Sequence, residues 1–137
     1  MPLHRLIYLS RPIINGPEDI DSILKASYRN NDAQAVSGLL LFTCDWFLQV
    51  IEGSSERLTK TFIRICHDSR HKEIQLRSFE KIDERVFPEW GMQYVSHSSE
   101  SLKKFHHFFA ARRFDPSEMS PATLEKFALS ATTPFDL

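Results

Sequence analysis

NNDAQAVSGLLLFTCDWFLQVIEG, residues 30–53, contains two apolar runs, 36–42 and 46–51, joined by a polar break at 43–45. Each run has the length of a β-strand and is biased toward β-branched and aromatic residues. The two runs therefore predict a β-hairpin, around which the other elements are arranged.

Gln49 is the one strongly polar residue in the second run. Strand alternation divides that run between two sheet faces, with Phe47, Gln49 and Ile51 on one and Trp46, Leu48 and Val50 on the other. Both faces are largely apolar, so we expect Gln49 to be buried. A buried amide without hydrogen-bond partners costs roughly 1–3 kcal/mol. The partners of Gln49 are therefore the question that this sequence poses.

The segment before the hairpin predicts a strand and a helix. Residues 4–10 have strand character, and a helix is predicted from Pro17, with acidic residues in its first turn. Its core-facing stripe has helical spacing: Ile20, Ile23, Leu24 and Ser27. The same spacing places Asn30 and Asn31 on the core-facing side of the C-terminal end of this helix.

The segment after the hairpin predicts a second helix and two further strands. Gly53 and Ser54 lie where this helix begins, and its buried stripe consists of Leu58, Phe62 and Ile65. Residues 74–82 and 90–95 are predicted strands. The order β-α-β-β-α-β plus one strand is the ferredoxin-like, split βαβ pattern of an α+β domain, with both helices on one face of a mixed sheet.

Residues beyond 96 differ in character. One predicted helix has Leu102, Phe105 and Phe109 on its apolar stripe, and a second has Leu124 and Phe127. We therefore divide the chain into a domain at 1–96 and a helical extension at 97–137. The extension either covers the free face of the sheet or forms a docking surface with exposed phenylalanines.

Composition narrows the class of protein. A chain of 137 residues with 42% hydrophobic residues and 11 Phe predicts one domain with a real core. The net charge of −1 argues against nucleic-acid and anionic-membrane partners. No apolar run approaches the ~20 residues that span a bilayer. Cys44 and Cys66 lack CxxC spacing, so we expect reduced thiols and a cytoplasmic location.

Taken singly, the candidate site residues have ordinary structural explanations. Tyr8 would be a packing residue and the Asn30–Asn31 pair a helix cap. His67 and His71 are four apart near a helix end, but no further ligands at suitable spacing accompany them, so no metal site is predicted. Trp90 and Met92 would belong to the core.

Taken together, these residues predict a binding slot. The first and third strands are central in a ferredoxin-like sheet, so Tyr8 and Gln49 lie on neighbouring strands. Apolar side chains of the two helices would form the walls: Ile20, Ile23, Leu24, Phe62 and Ile65. Amides between apolar walls suit a planar heterocycle with alternating donors and acceptors.

Several motifs carry a resemblance to the BLUF family of flavin-binding blue-light sensors. The segments RLIYLS, SYRNN, VSGLLLF, FLQVIEG, HDSRH and WGMQ resemble the family's motifs in order, over residues 4–95. The resemblance implies FAD, or FMN or riboflavin, held without a covalent bond between the two helices. It also implies that Tyr8 is the redox-active tyrosine and Gln49 the glutamine that switches its hydrogen bonds under blue light.

The resemblance implies roles for other positions as well. Asn30 and Asn31 resemble the residues at the pyrimidine edge of the flavin ring, and Asp68, Arg70 and His71 resemble those near its other edge and the ribityl chain. Trp90 and Met92 resemble a tuning pair on the last strand. The remaining cofactor contacts are expected from the slot: Ile23, Ser27, Phe47 and Ile65. No catalytic residue is expected. The signal would pass to a separate effector or regulatory protein, and the chain itself would form a homo-oligomer.

Two other classes fit less well. A small acylphosphatase-like hydrolase would share the fold, and Arg11 and Asn31 superficially match its Arg and Asn. The glycine-rich phosphate loop is missing, however, and Ile13-Ile14 stands there instead. An RNA-binding sheet would need a basic surface and exposed stacking aromatics, which the charge and the motifs do not supply.

Overall fold

The computed structural model describes residues 2–33, 35–87, 92–97, 99–111 and 113–131, and their side chains except those of 27–33, 100, 101, 104 and 108. The main elements follow in chain order: β1 (Leu3–Pro12), α1 (Pro17–Ala33), β2 (Ser37–Phe42), β3 (Phe47–Ser54), α2 (Ser55–Cys66), β4 (His71–Ile82), β5 (Met92–Ser96), α3 (His106–Ala110) and α4 (Pro121–Ser130). Short 3-10 helices at Glu100–Phe105 and Pro116–Glu118 precede α3 and α4.

The described strands form one sheet in the order β4-β1-β3-β2-β5. β3 is antiparallel to both β1 and β2, and β5 is added parallel to β2. This is the predicted ferredoxin-like arrangement with one extra edge strand. β1 and β3 are central, and Tyr8 lies directly opposite Gln49 in their register.

The β2–β3 hairpin is closed by Thr43. Its hydroxyl accepts from the backbone N–H of Asp45 at 3.2 Å and of Trp46 at 3.0 Å. Within β2, Gly38 permits a close approach of the strands, because a Cβ there would lie 1.9 Å from the carbonyl oxygen of Val50. This glycine pairs with Met92 of β5, so it lies where the edge strand joins the sheet.

Side chains alternate between two faces of the sheet, as predicted. On the first, which we call the α1–α2 face, the buried cluster contains Leu6, Tyr8, Val36, Leu40, Phe47, Ile51, Leu58 and Met92. Partly buried side chains of both helices pack against it, including Ile20, Ile23 and Leu24 of α1 and Phe62 and Ile65 of α2. Both helices therefore cover this face.

The opposite face, which we call the C-terminal face, is covered by the last helices. Its cluster joins Ile7, Leu9, Leu39, Leu41, Trp46, Leu48, Val50 and Val95 of the sheet and hairpin turn to Phe87, Leu102, Leu124, Phe127, Ala128 and Ala131. Of the two possibilities left open for the extension, the cover of the sheet is the one observed. Phe105 and Phe109 are partly buried against this cluster.

A buried ion pair also lies on the C-terminal face. Arg5 of β1 donates to Glu52 of β3 through Nε at 2.9 Å, and its NH2 lies 2.7 Å from the same carboxylate oxygen. The second oxygen of Glu52 accepts the backbone N–H groups of Val86 and Phe87, each at 2.9 Å. Arg5 also lies 3.4 Å from Glu125 of α4. The pair thus connects the sheet to the segment before β5 and to the last helix.

The bounds of several strands differ from the prediction. β4, for example, begins at His71 instead of 74. The pairing of β4 with β1 shifts register twice, between Ile7 and Tyr8 and between Leu9 and Arg11. Each shift interrupts the two-residue alternation from which a strand is recognised in sequence. The beginning of this strand was therefore not apparent.

Candidate functional site

A cavity of about 400 Å³ opens on the α1–α2 face of the sheet. Its lining comes from β1, α1, β2, β3, α2, the segment after α2 and the first residue of β4: Tyr8, Ile23, Ala26, Leu40, Phe47, Gln49, Thr61, Arg64, Ile65, His67, Asp68, Arg70 and His71. The volume lies within the range of about 300–1,000 Å³ that is typical of small-molecule sites.

Gln49 is buried, as predicted, with 4% of its surface exposed. Its Oε1 accepts a hydrogen bond from the Tyr8 hydroxyl, and its Nε2 donates to the sulfur of Met92 at 3.5 Å. Sulfur is a weak acceptor. The amide thus has one strong partner on β1 and one weak partner on β5.

Tyr8 is buried, with 3% of its surface exposed. Its ring lies 5.7 Å from that of Phe62 and 6.1 Å from that of His71, centroid to centroid. Burial raises the pKa of Tyr8 far above its ordinary value of about 10, and the negative charges of Asp68 and Cys66 raise it further. Tyr8 therefore remains a neutral hydrogen-bond donor across the physiological pH range.

The ring of His71 is held by two hydrogen bonds. Nε2 lies 2.7 Å from the carbonyl oxygen of Ile65, and Nδ1 lies 2.8 Å from the hydroxyl of Ser10. Because a carbonyl only accepts, Nε2 must be protonated. Both nitrogens are thus engaged within the protein, and His71 presents its ring to the cavity rather than a free nitrogen.

Asp68 and Arg70 form a bidentate ion pair at the cavity. Arg70 donates through Nε at 2.8 Å and through NH2 at 2.6 Å to the two carboxylate oxygens. The hydrogen bonds from Arg70 lower the pKa of Asp68, and those same bonds raise the pKa of Arg70. The side chains of Arg70 and Asp68 are 25% and 28% exposed, so the pair lies at the solvent side of the cavity.

The structure brings eight of the predicted site residues together around this cavity: Tyr8, Ile23, Phe47, Gln49, Ile65, Asp68, Arg70 and His71. Met92 contacts Gln49 but is not among the lining residues. Asn30 and Asn31 lie in the last turn of α1, and their side chains, with that of Ser27, lie outside the described residues, as does Trp90.

Three of the predicted wall residues do not line the cavity. Ile20, Leu24 and Phe62 pack against the cluster of the α1–α2 face instead. Five lining residues were missed: Ala26, Leu40, Thr61, Arg64 and His67. Ala26 lies three residues after Ile23, and Thr61 lies four before Ile65, so helical spacing contained a signal for both.

Arg11, the residue on which a phosphatase would depend, is engaged elsewhere. Its guanidinium carbon lies 3.5 Å from the centroid of the Trp46 ring, and NH1 donates to the carbonyl oxygen of Asp45 at 3.2 Å. It is not among the residues that line the cavity. The geometry therefore gives no support to acyl-phosphate hydrolysis.

A family model described as BLUF, sensors of blue-light using FAD, matches residues 3–93 of this chain. The chain belongs to the BLUF family. It is accordingly a blue-light sensor of the flavin-binding type.

Solved structures of BLUF proteins share its fold over nearly the whole chain. BlrB, a BLUF protein in its dark state, is 31% identical with a TM-score of 0.78, and the match covers 96% of this chain and 97% of BlrB. BlsA in its photo-activated state is 27% identical with a TM-score of 0.79, covering 92% and 91% of the two chains.

Curated relatives of the BLUF segment are longer proteins. The photoactivated adenylate cyclase subunit beta of Euglena gracilis is 31% identical over 64% of this chain, a match covering 10% of that protein. The blue light- and temperature-regulated antirepressor BluF of Escherichia coli is 32% identical over 66% of this chain and 23% of its own length. The chain thus spans only a small part of these relatives.

Among the described residues, no helix is both long and apolar enough to cross a membrane.

Proposed function

We propose that the cavity on the α1–α2 face holds the ring system of FAD, with FMN and riboflavin as alternatives, and that Tyr8 and Gln49 respond to light. The volume and the apolar walls suit a flat ring system, and the buried phenol and amide supply polar contacts at its edge. FMN and riboflavin share this ring and the ribityl chain with FAD, so the same pocket suits all three.

The wall contacts would come from Ile23, Phe47 and Ile65, which line the cavity from α1, β3 and α2. Ser27, Asn30 and Asn31 would supply polar contacts from the C-terminal half of α1. Asp68, Arg70 and His71 would lie beside the more solvent-exposed part of the cofactor. Because Asp68 and Arg70 neutralise each other, they would present hydrogen-bonding groups there without adding net charge.

The Gln49 amide is suited to a reversible rearrangement. Its oxygen and nitrogen have nearly the same shape, but one accepts hydrogen bonds and the other donates them. Rotation or tautomerisation of the amide would therefore change its bonds to Tyr8, to Met92 and to the cofactor with little change in packing. When bound, the flavin supplies blue-light absorption and becomes a strong oxidant in its excited state.

The signal would leave the site through β5. The Gln49 amide bonds to Met92, the first residue of β5, and the chain continues from this strand into the helices on the C-terminal face. One rearranged hydrogen bond is worth about 0.5–1.5 kcal/mol, so the output would be a shift between two existing conformations. Trp90 would tune this response from the segment preceding β5.

The proposed output is an interaction with a separate effector or regulatory protein. The protein would act as a homo-oligomer in the cytoplasm, without nucleic-acid or membrane partners. Residues 1–96 would act as the light-sensing domain and 97–137 as the helical extension that transmits its state. The relatives support coupling of a BLUF segment to an output, since their descriptions name a cyclase and an antirepressor.

The observation that carries this proposal is the buried chain of contacts from Tyr8 through Gln49 to Met92. The test is an absorption spectrum of the purified protein before and after blue light, followed during recovery in the dark. We expect a flavin spectrum that shifts slightly to the red and then returns. A bound flavin whose spectrum does not shift would contradict the roles proposed for Tyr8 and Gln49. A protein unable to take up flavin would contradict the proposal that its cofactor is a flavin.

A further inference from the structure

Ser10 of β1 has a fully buried hydroxyl that is bonded to a ring in the cavity wall. The residue is 0% exposed, and its Oγ lies 2.8 Å from Nδ1 of His71. Ser10 follows Tyr8 by two residues on the same strand, so both side chains lie on the α1–α2 face. No role for Ser10 was predicted from the sequence.

The direction of this hydrogen bond follows from the other nitrogen of the ring. Nε2 of His71 lies 2.7 Å from the carbonyl oxygen of Ile65, which can only accept, so Nε2 carries a proton. In the neutral ring Nδ1 is then an acceptor, and the Ser10 hydroxyl donates to it. The ring is thus held by β1 at one nitrogen and by the last turn of α2 at the other.

Ser10 lies where the backbone pairing of β1 with β4 is irregular. The register of the two strands shifts between Leu9 and Arg11, on either side of Ser10. His71 is the first residue of β4. The side-chain bond therefore connects the two strands at a point where their regular ladder is interrupted.

The ring that Ser10 holds packs against the tyrosine proposed to respond to light. The His71 ring lies edge-on to those of Tyr8 and Phe47, with 6.1 Å between centroids in both pairs. Without the Ser10 hydroxyl, the bond from Nε2 would be the remaining one of the two that resist rotation of the ring. A His71 ring with more freedom would leave Tyr8 less tightly held opposite Gln49.

We infer that Ser10 is a positioning residue of the light response: its hydroxyl fixes the His71 ring, and that ring holds Tyr8 in place opposite the Gln49 amide. This inference rests on the proposed function, because it requires Tyr8 and Gln49 to rearrange in light. Return to the dark state requires the hydrogen bond between these two side chains to break and re-form. A less tightly held Tyr8 lowers the barrier to this exchange, so recovery in the dark becomes faster.

Three variants separate positioning from a general structural role. Ser10→Ala removes the hydroxyl, and Ser10→Cys replaces it with a weaker donor. Ser37→Ala is the matched control, because Ser37 is equally buried and donates to the carbonyl oxygen of Phe87 at 3.2 Å, but lies on the C-terminal face opposite Glu52.

Each protein is measured with its flavin bound. The rate at which the absorption spectrum returns after blue light gives the recovery, and the melting temperature reports stability. The NMR resonances of the histidine ring nitrogens report directly on the bond to Nδ1 of His71.

We expect Ser10→Ala to recover roughly 2–10-fold faster than the wild type, which corresponds to the loss of one neutral hydrogen bond. Its Nδ1 resonance from His71 should move toward that of a nitrogen without a hydrogen bond, while Nε2 stays protonated. Ser10→Cys should lie between Ser10→Ala and the wild type in both measurements. Ser37→Ala should melt at a lower temperature, as Ser10→Ala does, but should recover at the wild-type rate.

Three results would overturn the inference. Recovery of both Ser10 variants at the wild-type rate would show that the hydroxyl does not affect the light response. Equal acceleration in Ser37→Ala would show a general effect of lost stability. A His71 Nδ1 resonance unchanged in Ser10→Ala would show that the bond is absent in solution.

Failure of the proposed function would be visible separately. The wild type itself would then show no light-induced shift, and the role of Ser10 in the light response would fall with it. The Ser10–His71 bond would still be measurable from the ring resonances, because they do not depend on light.

Discussion

Two buried pairs join the same two central strands and differ in what their chemistry permits. Tyr8 faces Gln49 across β1 and β3 on the α1–α2 face, and Arg5 faces Glu52 across the same strands on the C-terminal face. All four residues are less than 8% exposed. Position and burial therefore do not distinguish the pairs, and the difference lies in their hydrogen bonds.

The Tyr8–Gln49 pair is neutral and only partly satisfied. Gln49 has a weak sulfur acceptor as its second partner, so an alternative arrangement of the amide costs little. Both oxygens of Glu52, in contrast, are occupied, one by Arg5 and the other by the backbone N–H groups of Val86 and Phe87. Any alternative there would leave a buried charge unpaired. One face of the sheet is thus suited to switching and the other to holding its elements in place.

The largest effect is expected from Gln49→Leu, which replaces the amide with an apolar side chain of similar size. The light-induced red shift should disappear, because no group remains to exchange donor and acceptor, while flavin stays bound. The measurement is the difference spectrum after blue light. Gln75→Leu on the exposed edge strand β4 is the matched control and should shift normally. A full red shift in Gln49→Leu would remove Gln49 from the switch.

Glu52→Gln tests the other pair. Removing one charge of a buried ion pair usually costs about 3–5 kcal/mol, and we expect about 3 kcal/mol in the free energy of unfolding because Glu125 also lies near Arg5. Urea unfolding measures this loss. Glu56→Gln, which breaks an exposed pair with Lys60, should change the free energy of unfolding by less than about 1 kcal/mol. If the two variants lowered the free energy of unfolding equally, the Arg5–Glu52 pair would not be what stabilises the C-terminal face.

Tyr8 is expected to make the fold sensitive to alkaline pH. Its pKa is raised in the folded protein, so its contribution is fully present below the unfolded value of about 10 and decreases as the pH rises above it. The free energy of unfolding should fall by up to about 1.4 kcal/mol per pH unit there. Tyr8→Phe should lack this part of the slope and should also lack the normal light response.

The comparison of wild type and Tyr8→Phe isolates Tyr8, because burial also raises the pKa of Tyr94, which is present in both proteins. Unfolding curves at several pH values above 9 provide the two slopes. Identical slopes would show that the Tyr8 hydroxyl is less enclosed than the structure indicates.

The smallest effect is expected from Asp68→Asn. The pKa of Asp68 is lowered by Arg70, so its contribution is present above the unfolded value of about 3.9 and is lost as the pH falls. Partly exposed pairs contribute about 0.2–1 kcal/mol. The variant should therefore be slightly less stable than the wild type at pH 7, and the difference should shrink below about pH 4.

Chemical denaturation at pH 7 and pH 3 measures both differences. Asp83→Asn, in an exposed loop, provides a carboxylate control that should show no comparable difference. A stability gap between wild type and Asp68→Asn that grew toward acid pH would contradict the assignment of the Asp68–Arg70 pair.

Much of the sheet could be predicted from the sequence because strand alternation is a local property. The hairpin, the burial of Gln49 and its neighbourhood with Tyr8 all follow from a period of two and the ferredoxin-like strand order. Where β4 carries irregularities, the same reasoning placed its beginning three residues too late. Alternation is informative only where the ladder is regular.

The cavity walls were predicted less completely because helical spacing gives a stripe without its rotation about the axis. The stripe residues Ile23 and Ile65 line the cavity, while Phe62 packs beside it and Thr61 takes a place in the lining. The rotation of a helix by a few tens of degrees decides which of two adjacent residues meets a ligand. That rotation depends on packing against the sheet, which is not local.

The sequence by itself determined the order of the elements, the two faces of β3 and the family to which the chain belongs, because these depend on patterns within short segments. Only the tertiary structure decided that the last helices cover the C-terminal face and that Arg5 and Glu52 meet there. Each of these depends on groups distant in sequence coming within a few ångströms, and hydrogen bonds and close packing are made only at such distances.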